Sequence, residues 1–327
     1  MNFHAEFSPK PFNKKISHRD KLMLVGSCFT EQIGNKLYRD KFTVMENPHG
    51  ILFNPASIAK AVVSYIDKKV YEPGDLFYNN ELWASWDHHT RFSNINKEKA
   101  LNSINSSQEK ASLFIHEADW LLLTLGSAFV YETKSGNNEY DTVVANCHKI
   151  PADTFNRRLL ETGEIINLLA GMIDKLKSAN EGVKIIFTIS PVRHLREGFI
   201  ENNRSKAALI QAVHSLVNNN DILYFPAYEL VMDDLRDYRF YAEDMVHPNY
   251  AATNYVWEKF VAACIDEPSQ QLMKEIDVIV TAKNHKAFNP TSQQHKKFLE
   301  MNLEKVKRLQ QQYPAIDLED EAAFFSQ

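Results

Sequence analysis

The 327-residue chain has no apolar run near the roughly 20 residues that a membrane-crossing helix needs. Its opening, Met1 to Pro9, lacks the charged-then-apolar pattern of a secretory leader. From these two absences a cytoplasmic protein is expected. Cysteine is scarce. Cys28, Cys147 and Cys264 are too few and too odd a set for a disulfide framework, and no Cys-x-x-Cys pair offers a zinc site. Basic charge is not in surplus either, with 37 Lys and Arg against 42 Asp and Glu and a net charge of −5. That balance excludes the basic face of a nucleic-acid-binding protein. No internal repeat is visible. What remains is an ordinary globular composition, 44% hydrophobic and 24% charged, with enough apolar residues for a sizeable core.

Five short apolar runs, 22–25, 42–46, 120–125, 183–189 and 222–225, read as strands buried on both faces. Helical patterns lie between them at 29–39, 55–68, 97–117, 154–178 and 206–218. Two more follow the last strand at 228–238 and 248–264. This alternation predicts an α/β fold, a three-layer α/β/α sandwich around a mainly parallel five-stranded sheet. An insertion at about 71–94, rich in Trp and His, reads as a small hairpin. A non-helical stretch covers 132–150. Residues 1–265 then form the main domain. Residues 266–327 are a helical extension, with helices at 270–279 and 291–312 and an acidic, frayed end at 317–321. About 60 residues make a poor independent core, so the extension is expected to pack on the main domain.

Ligands of an open parallel sheet bind at the carboxyl ends of its strands. There the sequence places Gly26-Ser27-Cys28-Phe29, a strand-to-helix turn with two adjacent nucleophiles. The other strand ends carry Asn47-Pro48-His49-Gly50, Gly126-Ser127, Ser190-Pro191-Val192-Arg193-His194 and Asp244-Met245-Val246-His247-Pro248. An Asp three residues before a His can orient it as a base for a nucleophile. In isolation the same pair is more often a cap beside an exposed His. Pro248 suits a first helical position, which would set His247 at a helix start. Arg193 can clamp an anionic substrate group or pair with a nearby acid. Asn203, Ser205 and Lys206 follow closely and extend the site. Trp83, Trp86, His88, His89 and Arg91 of the insertion form either a lid or packing. His49, His88 and His89 have no metal-ligand spacing, so no metal and no cofactor are expected.

The turn Gly26-Ser27-Cys28-Phe29-Thr30 resembles the signature of the GSCFA family, within the SGNH (GDSL-like) hydrolase group. Asn47-Pro48-His49-Gly50, Ser190 to His194 and Tyr238 to Pro248 resemble further motifs of that family, and the likeness spans about residues 20–262. The resemblance implies an SGNH-like, flavodoxin-like fold and a nucleophile on the first turn. It also implies His247 as base and Asp244 as its orienter. Gly50 would supply an oxyanion-hole N–H. Two departures stand out. The group has Gly-Asp-Ser, so its register puts Cys28 at the nucleophile position, with Ser27 as the alternative. The group also has an asparagine after its third strand, where this chain has Gly126-Ser127-Ala128-Phe129. Ser127 or Asn146 must then replace that oxyanion donor, or nothing does. A helix N-terminus and a nearby imidazolium should lower the Cys28 pKa.

The expected function is that of a hydrolase or acyltransferase acting on an ester, thioester or amide. Its substrate would be an acylated small molecule or glycan, with no nucleic acid and no membrane span. The alternative is a non-catalytic protein that binds a carbohydrate or phosphoryl ligand on a hydrolase fold. A scaffold that dimerises through its C-terminal helices is disfavoured by their weak apolar stripe.

Overall fold

Four consecutive apolar residues, Leu22 to Val25, leave no polar face for water, and the structure covers both sides of the strand they form. The computed structural model describes residues 5–134, 142–218 and 220–327. In chain order its elements begin with β1 (Lys21–Gly26), α1 (Cys28–Arg39), β2 (Thr43–Glu46), α2 (Pro55–Ile66), β3 (Phe77–Asn79), β4 (Leu82–Ala84) and α3 (Lys97–Ile115). There follow β5 (Trp120–Leu125), β6 (Phe129–Thr133), β7 (Val143–Val144), β8 (Phe155–Leu159), α4 (Thr162–Ala179), β9 (Lys184–Ile189), α5 (Phe199–Leu216) and β10 (Ile222–Tyr224). The chain ends with α6 (Ala227–Glu229), α7 (Tyr250–Cys264), α8 (Glu267–Lys283), α9 (Gln293–Gln312) and α10 (Glu319–Phe325).

The five expected apolar runs form one parallel sheet in the order β10-β9-β5-β1-β2. Side-chain alternation along the strands feeds two separate cores. Met23 and Val25 of β1 and Leu121, Leu123 and Leu125 of β5 point to one face, under α2, α3, α4 and α5. Leu22, Leu24, Trp120 and Leu122 point to the other, under α1, α6 and α7. Each fully buried Leu or Val contributes about 1.5–3 kcal/mol of transfer free energy. The fold is therefore a three-layer α/β/α sandwich.

Several local expectations change. The helix expected at 154–178 begins only at Thr162, because residues 155–159 are β8 and pair antiparallel with β6. With β7 they make a second sheet, ordered β7-β6-β8. Arg158 fixes it, holding both oxygens of Glu164 at 2.7 Å and Glu132 at 2.9 Å. This long-range pairing overrides a helix-like local pattern. Helix α5 starts at Phe199, earlier than expected. Over 228–238 the chain makes only the single turn α6, then a wider turn across Leu230–Leu235. Helix α7 is capped by Asn249, so Pro248 lies ahead of the cap and not at the first helical position. The insertion contains the hairpin β3–β4, closed by Asn80 and Glu81 with φ of 47° and 61°. Two positive φ values suit a two-residue hairpin turn. Of the non-helical stretch expected at 132–150, residues 135–141 lie outside the described residues.

Helices α8 to α10 share a small core of Leu272, Ile276, Ile279, Val306, Leu309, Leu318 and Phe325. The acidic end expected to fray is the start of α10. Its Glu321 is buried and ion-paired to Lys41 at 2.8 Å and Lys283 at 3.1 Å. Arg39 at the end of α1 pairs with Asp277 of α8. Among the described residues no helix is long and apolar enough to cross a membrane.

Candidate active site

From β1 the chain crosses to the edge strand β2, whereas from β5 it proceeds to β9 and β10 on the other side. The loops after β1 and β5 therefore part at a topological switch point, where a crevice opens at the strand ends. Gly26 ends β1 at φ +154°, and a Cβ there would lie 2.3 Å from the Thr124 carbonyl oxygen. Only glycine lets β1 and β5 approach this closely at the turn. The Gly26 N–H donates to Asn47 Oδ1 at 2.8 Å, and its carbonyl accepts from Leu52 N–H at 2.9 Å. The β1 and β2 loops are thus laced together.

The two adjacent nucleophiles separate clearly. Ser27 is fully buried, and its hydroxyl caps α1 by accepting from the Phe29 N–H at 3.3 Å. Cys28 is the first residue of α1 and is partly exposed. Burial and the Glu31 carboxylate push its thiol pKa up, against the lowering that a helix N-terminus alone predicts. The Cys28 and Phe29 N–H groups and the Lys206 ammonium act in the opposite direction without cancelling that rise. Glu31 itself pairs with Arg91 at 3.4 Å.

Neither expected glycine offers a free donor. The Gly50 N–H is spent on Asn47 O at 2.7 Å, although Gly50 does adopt φ +80° against the His89 Cβ. The next amide, Ile51 N–H, has no partner among the described residues. After β5, the N–H groups of Gly126 and Ser127 both donate to Phe53 O, at 2.8 and 3.0 Å. The Ser127 hydroxyl is buried, accepts from Phe129 N–H and lies 3.4 Å from the Ser205 hydroxyl. His49 lies away from the crevice. It is buried, stacked on His88 with ring centroids 4.1 Å apart, and 3.1 Å from the Tyr71 hydroxyl. Burial pushes its pKa down to about 3, so the ring is neutral.

The loop after β9 serves two purposes. The Arg193 guanidinium stacks on Tyr241 and Tyr238, 4.3 and 5.1 Å from the ring centroids, and the Arg193 backbone N–H donates to Val246 O. Among the described residues no ion pair to Arg193 forms, and it braces the loop that carries Asp244 and His247. His194 faces Phe53 and the Gly126 backbone, and its buried Nε2 has no hydrogen-bond partner among the described residues. Burial, with help from Lys206 and His247, holds its pKa at about 3. Asp244 and His247 form a tight pair, Oδ2 to Nδ1 at 2.6 Å, and both are about half exposed. The N–H groups of Val246 and His247 fix the other carboxylate oxygen at 2.9 and 3.0 Å. These hydrogen bonds hold the Asp244 pKa at about 2. A carboxylate on Nδ1 selects the tautomer whose Nε2 accepts a proton.

Beside the crevice lies a cavity of about 410 Å3, lined by Phe53, Ser127, Phe129, Asn146, Cys147 and His194 among others. Asn146 reaches it while its Oδ1 accepts from the His148 N–H. Both expected oxyanion side chains, Ser127 and Asn146, thus share one cavity with His194.

A family model described as the GSCFA family matches residues 21–260, most of the chain. The chain belongs to the GSCFA family. A second model, for the GSCFA domain protein C-terminal domain, matches residues 276–327 and so covers the latter part of α8 and all of α9 and α10. No curated protein matches the sequence. Among solved structures, the chain is similar to a carbohydrate esterase family 3 protein from Talaromyces cellulolyticus. Identity is 11%, coverage 78% of this chain and 99% of that one, and the TM-score 0.36. It is similar to a mutant acetyl esterase with acetate ion at 10% identity, covering 79% and 99%, with a TM-score of 0.36. Neither likeness assigns a residue.

Within this GSCFA chain, sequence reading missed several site residues. Asn47 ties the β2 loop to Gly26, and Phe53 consumes both amides after β5. Cys147 lines the cavity from a loop with no strand-end signal. The depth of Lys206 was also unexpected, although it falls in phase with the buried Leu209 and Val213 of α5.

Proposed function

We propose that this chain is a hydrolase or acyltransferase that acts through Cys28 on an acylated small molecule or glycan. The observation that supports this most is the division of labour in the first turn. Ser27 is locked inside as a helix cap, while Cys28 stands partly open at the N-terminus of a twelve-residue helix, at the switch point of the sheet. In the proposed reaction His247 Nε2 takes the Sγ proton and the thiolate attacks the acyl carbon. The Cys28 N–H then faces the oxyanion, with Ser127 or Asn146 as side-chain donor. His247 returns the proton to the leaving oxygen or nitrogen. The thioester left on Cys28 passes its acyl group to water or to another acceptor whose proton His247 removes. The cavity beside His194 receives the substrate. An acylating activity probe followed by peptide mass spectrometry tests this. Label is expected on Cys28 in the native protein and is expected to be lost in His247→Ala. Label on Ser27, or none at any site, counts against it.

A second reading has its own support. The amides of Gly50, Gly126 and Ser127 are all committed, and the Cys28 thiol pKa is raised. Both features suit a site that binds an acylated carbohydrate or phosphoryl ligand without turning it over. Ligand-induced stabilisation with no covalent label would favour that reading.

A further inference from the structure

Lys206 is a buried cation without an acid. It is only 2% exposed, yet no carboxylate among the described residues forms an ion pair with it. Its Nζ instead donates to the carbonyls of Gly126 at 2.6 Å and Ser190 at 2.7 Å. These are neighbouring strand ends, since β5 and β9 align Leu125 with Ile189 one residue earlier. On the other side, β1 and β5 align Gly26 with Thr124, so Cys28 and Gly126 each lie two residues beyond a paired position. The ammonium therefore spans the floor of the crevice directly beside the turn that carries Cys28. An ammonium has three protons, and two carbonyls take two of them.

The groups around it can be named. The charge of Cys28, the first residue of α1, acts on it, and Tyr228 of α6 places its ring centroid 5.8 Å away. His194, on the loop before α5, feels its charge and that of His247. Glu31 acts on Cys28 from one turn along α1. A buried ammonium without an anion is costly, and evolution of an apolar residue at this position would remove the cost. An anion formed in the crevice during reaction would offset it.

We infer that Lys206 is the counter-charge of this site, a positioning residue that holds the Cys28 thiolate from beneath. The inference rests on the reading of Cys28 as nucleophile. When the Sγ–H bond breaks and the proton moves to imidazole, the charge left on sulfur is matched by the ammonium. Burial pushes the Lys206 pKa down to about 7 against the raising effect of the Cys28 charge. The cation is thus most stable when the thiolate is present.

The test follows thiolate formation and not turnover. Lys206→Gln keeps amide donors for the two carbonyls and removes the charge. The rate of Cys28 alkylation by iodoacetamide, read by peptide mass spectrometry, is measured against pH in both proteins. Below about pH 7, where the Lys206 ammonium is present, alkylation is expected to be about tenfold slower in Lys206→Gln, and the two profiles are expected to converge at higher pH as that ammonium is lost. Equal alkylation rates below about pH 7 in a folded variant overturn the inference. If that variant does not fold, the lysine Cε NMR signal of Lys206 is titrated in the native protein and in Cys28→Ser. Separate titration curves support the coupling, and superimposed curves overturn it. Ester hydrolysis that survives Cys28→Ala would instead sink the nucleophile reading, whatever the alkylation profile shows.

Discussion

The floor and the rim of the crevice are built on opposite principles. On the floor, Lys206 is buried and His194 is partly buried with its Nε2 shielded from solvent, and neither has a carboxylate partner among the described residues. On the rim, Asp244 and His247 are half exposed and joined to each other at 2.6 Å. Burial makes an unmatched group expensive and its field strong, whereas exposure makes a charge cheap and its field weak. A group that must exchange protons with water and substrate belongs on the rim. A group that must stabilise a transient anion is more effective on the floor. Cys28 is partly exposed and raised in pKa, and the proposed reaction asks the rim to take its proton and the floor to hold its charge.

The sharpest way to break this comparison is to remove the group between floor and rim. Cys28→Ala is expected to lower ester hydrolysis about a thousandfold or more while leaving the melting temperature nearly unchanged, as measured with a chromogenic acyl ester. Removing the rim base is the next largest effect. His247→Ala is expected to cost about 10²–10⁴-fold in kcat, with KM little changed, because proton transfer is lost and binding is not. A drop confined to KM would place His247 in binding alone.

Two smaller effects sharpen the contrast. His194 stays neutral in the folded state down to about pH 3, whereas a free histidine takes a proton near 6.5. Between those values the unfolded chain binds the extra proton, so the contribution of His194 to stability is full above pH 6.5 and is lost as pH falls towards 3. His194→Gln should therefore reduce the acid sensitivity of stability by up to about 1.4 kcal/mol per pH unit, read from urea unfolding at pH 6.5 and 5. Equal slopes in the two proteins would show that His194 is not held neutral. Smallest is Ser27→Ala, which removes one helix cap. It is expected to cost about 1 kcal/mol of stability while Cys28 keeps its reactivity towards an acylating probe.

The sheet was legible because its inner strands β1, β5 and β9 are apolar on both faces, whereas the edge strand β2 (Thr43–Glu46) has no buried residue and was found as a short apolar run. The strand-end loops followed from the sheet by topology. The second sheet was hidden because Asn156, Arg157 and Arg158 look helical locally and become a strand only through pairing with β6. Side-chain direction was equally hidden. Gly26-Ser27-Cys28 shows two nucleophiles, and only the turn geometry says which one faces inward as a cap. The Gly50 amide looked available until its bond to Asn47 O was seen. Lys206 could have been found from helical phase, since Asn202, Ser205, Lys206 and Leu209 share the buried side of α5. A charged residue in that phase is a signal in its own right.

Glu321 gives α1 a second point of attachment. One end of that helix presents Cys28, and just past the other end Lys41 is gripped by a carboxylate from the last helix. The C-terminal segment is therefore a buckle on the helix that carries the reactive thiol. A shortened protein ending before Glu319 would leave Lys41 and Lys283 without their shared acid and loosen that helix at its foot. Trimming the tail to aid crystallisation or expression would then disturb the turn at the opposite end of the same rod.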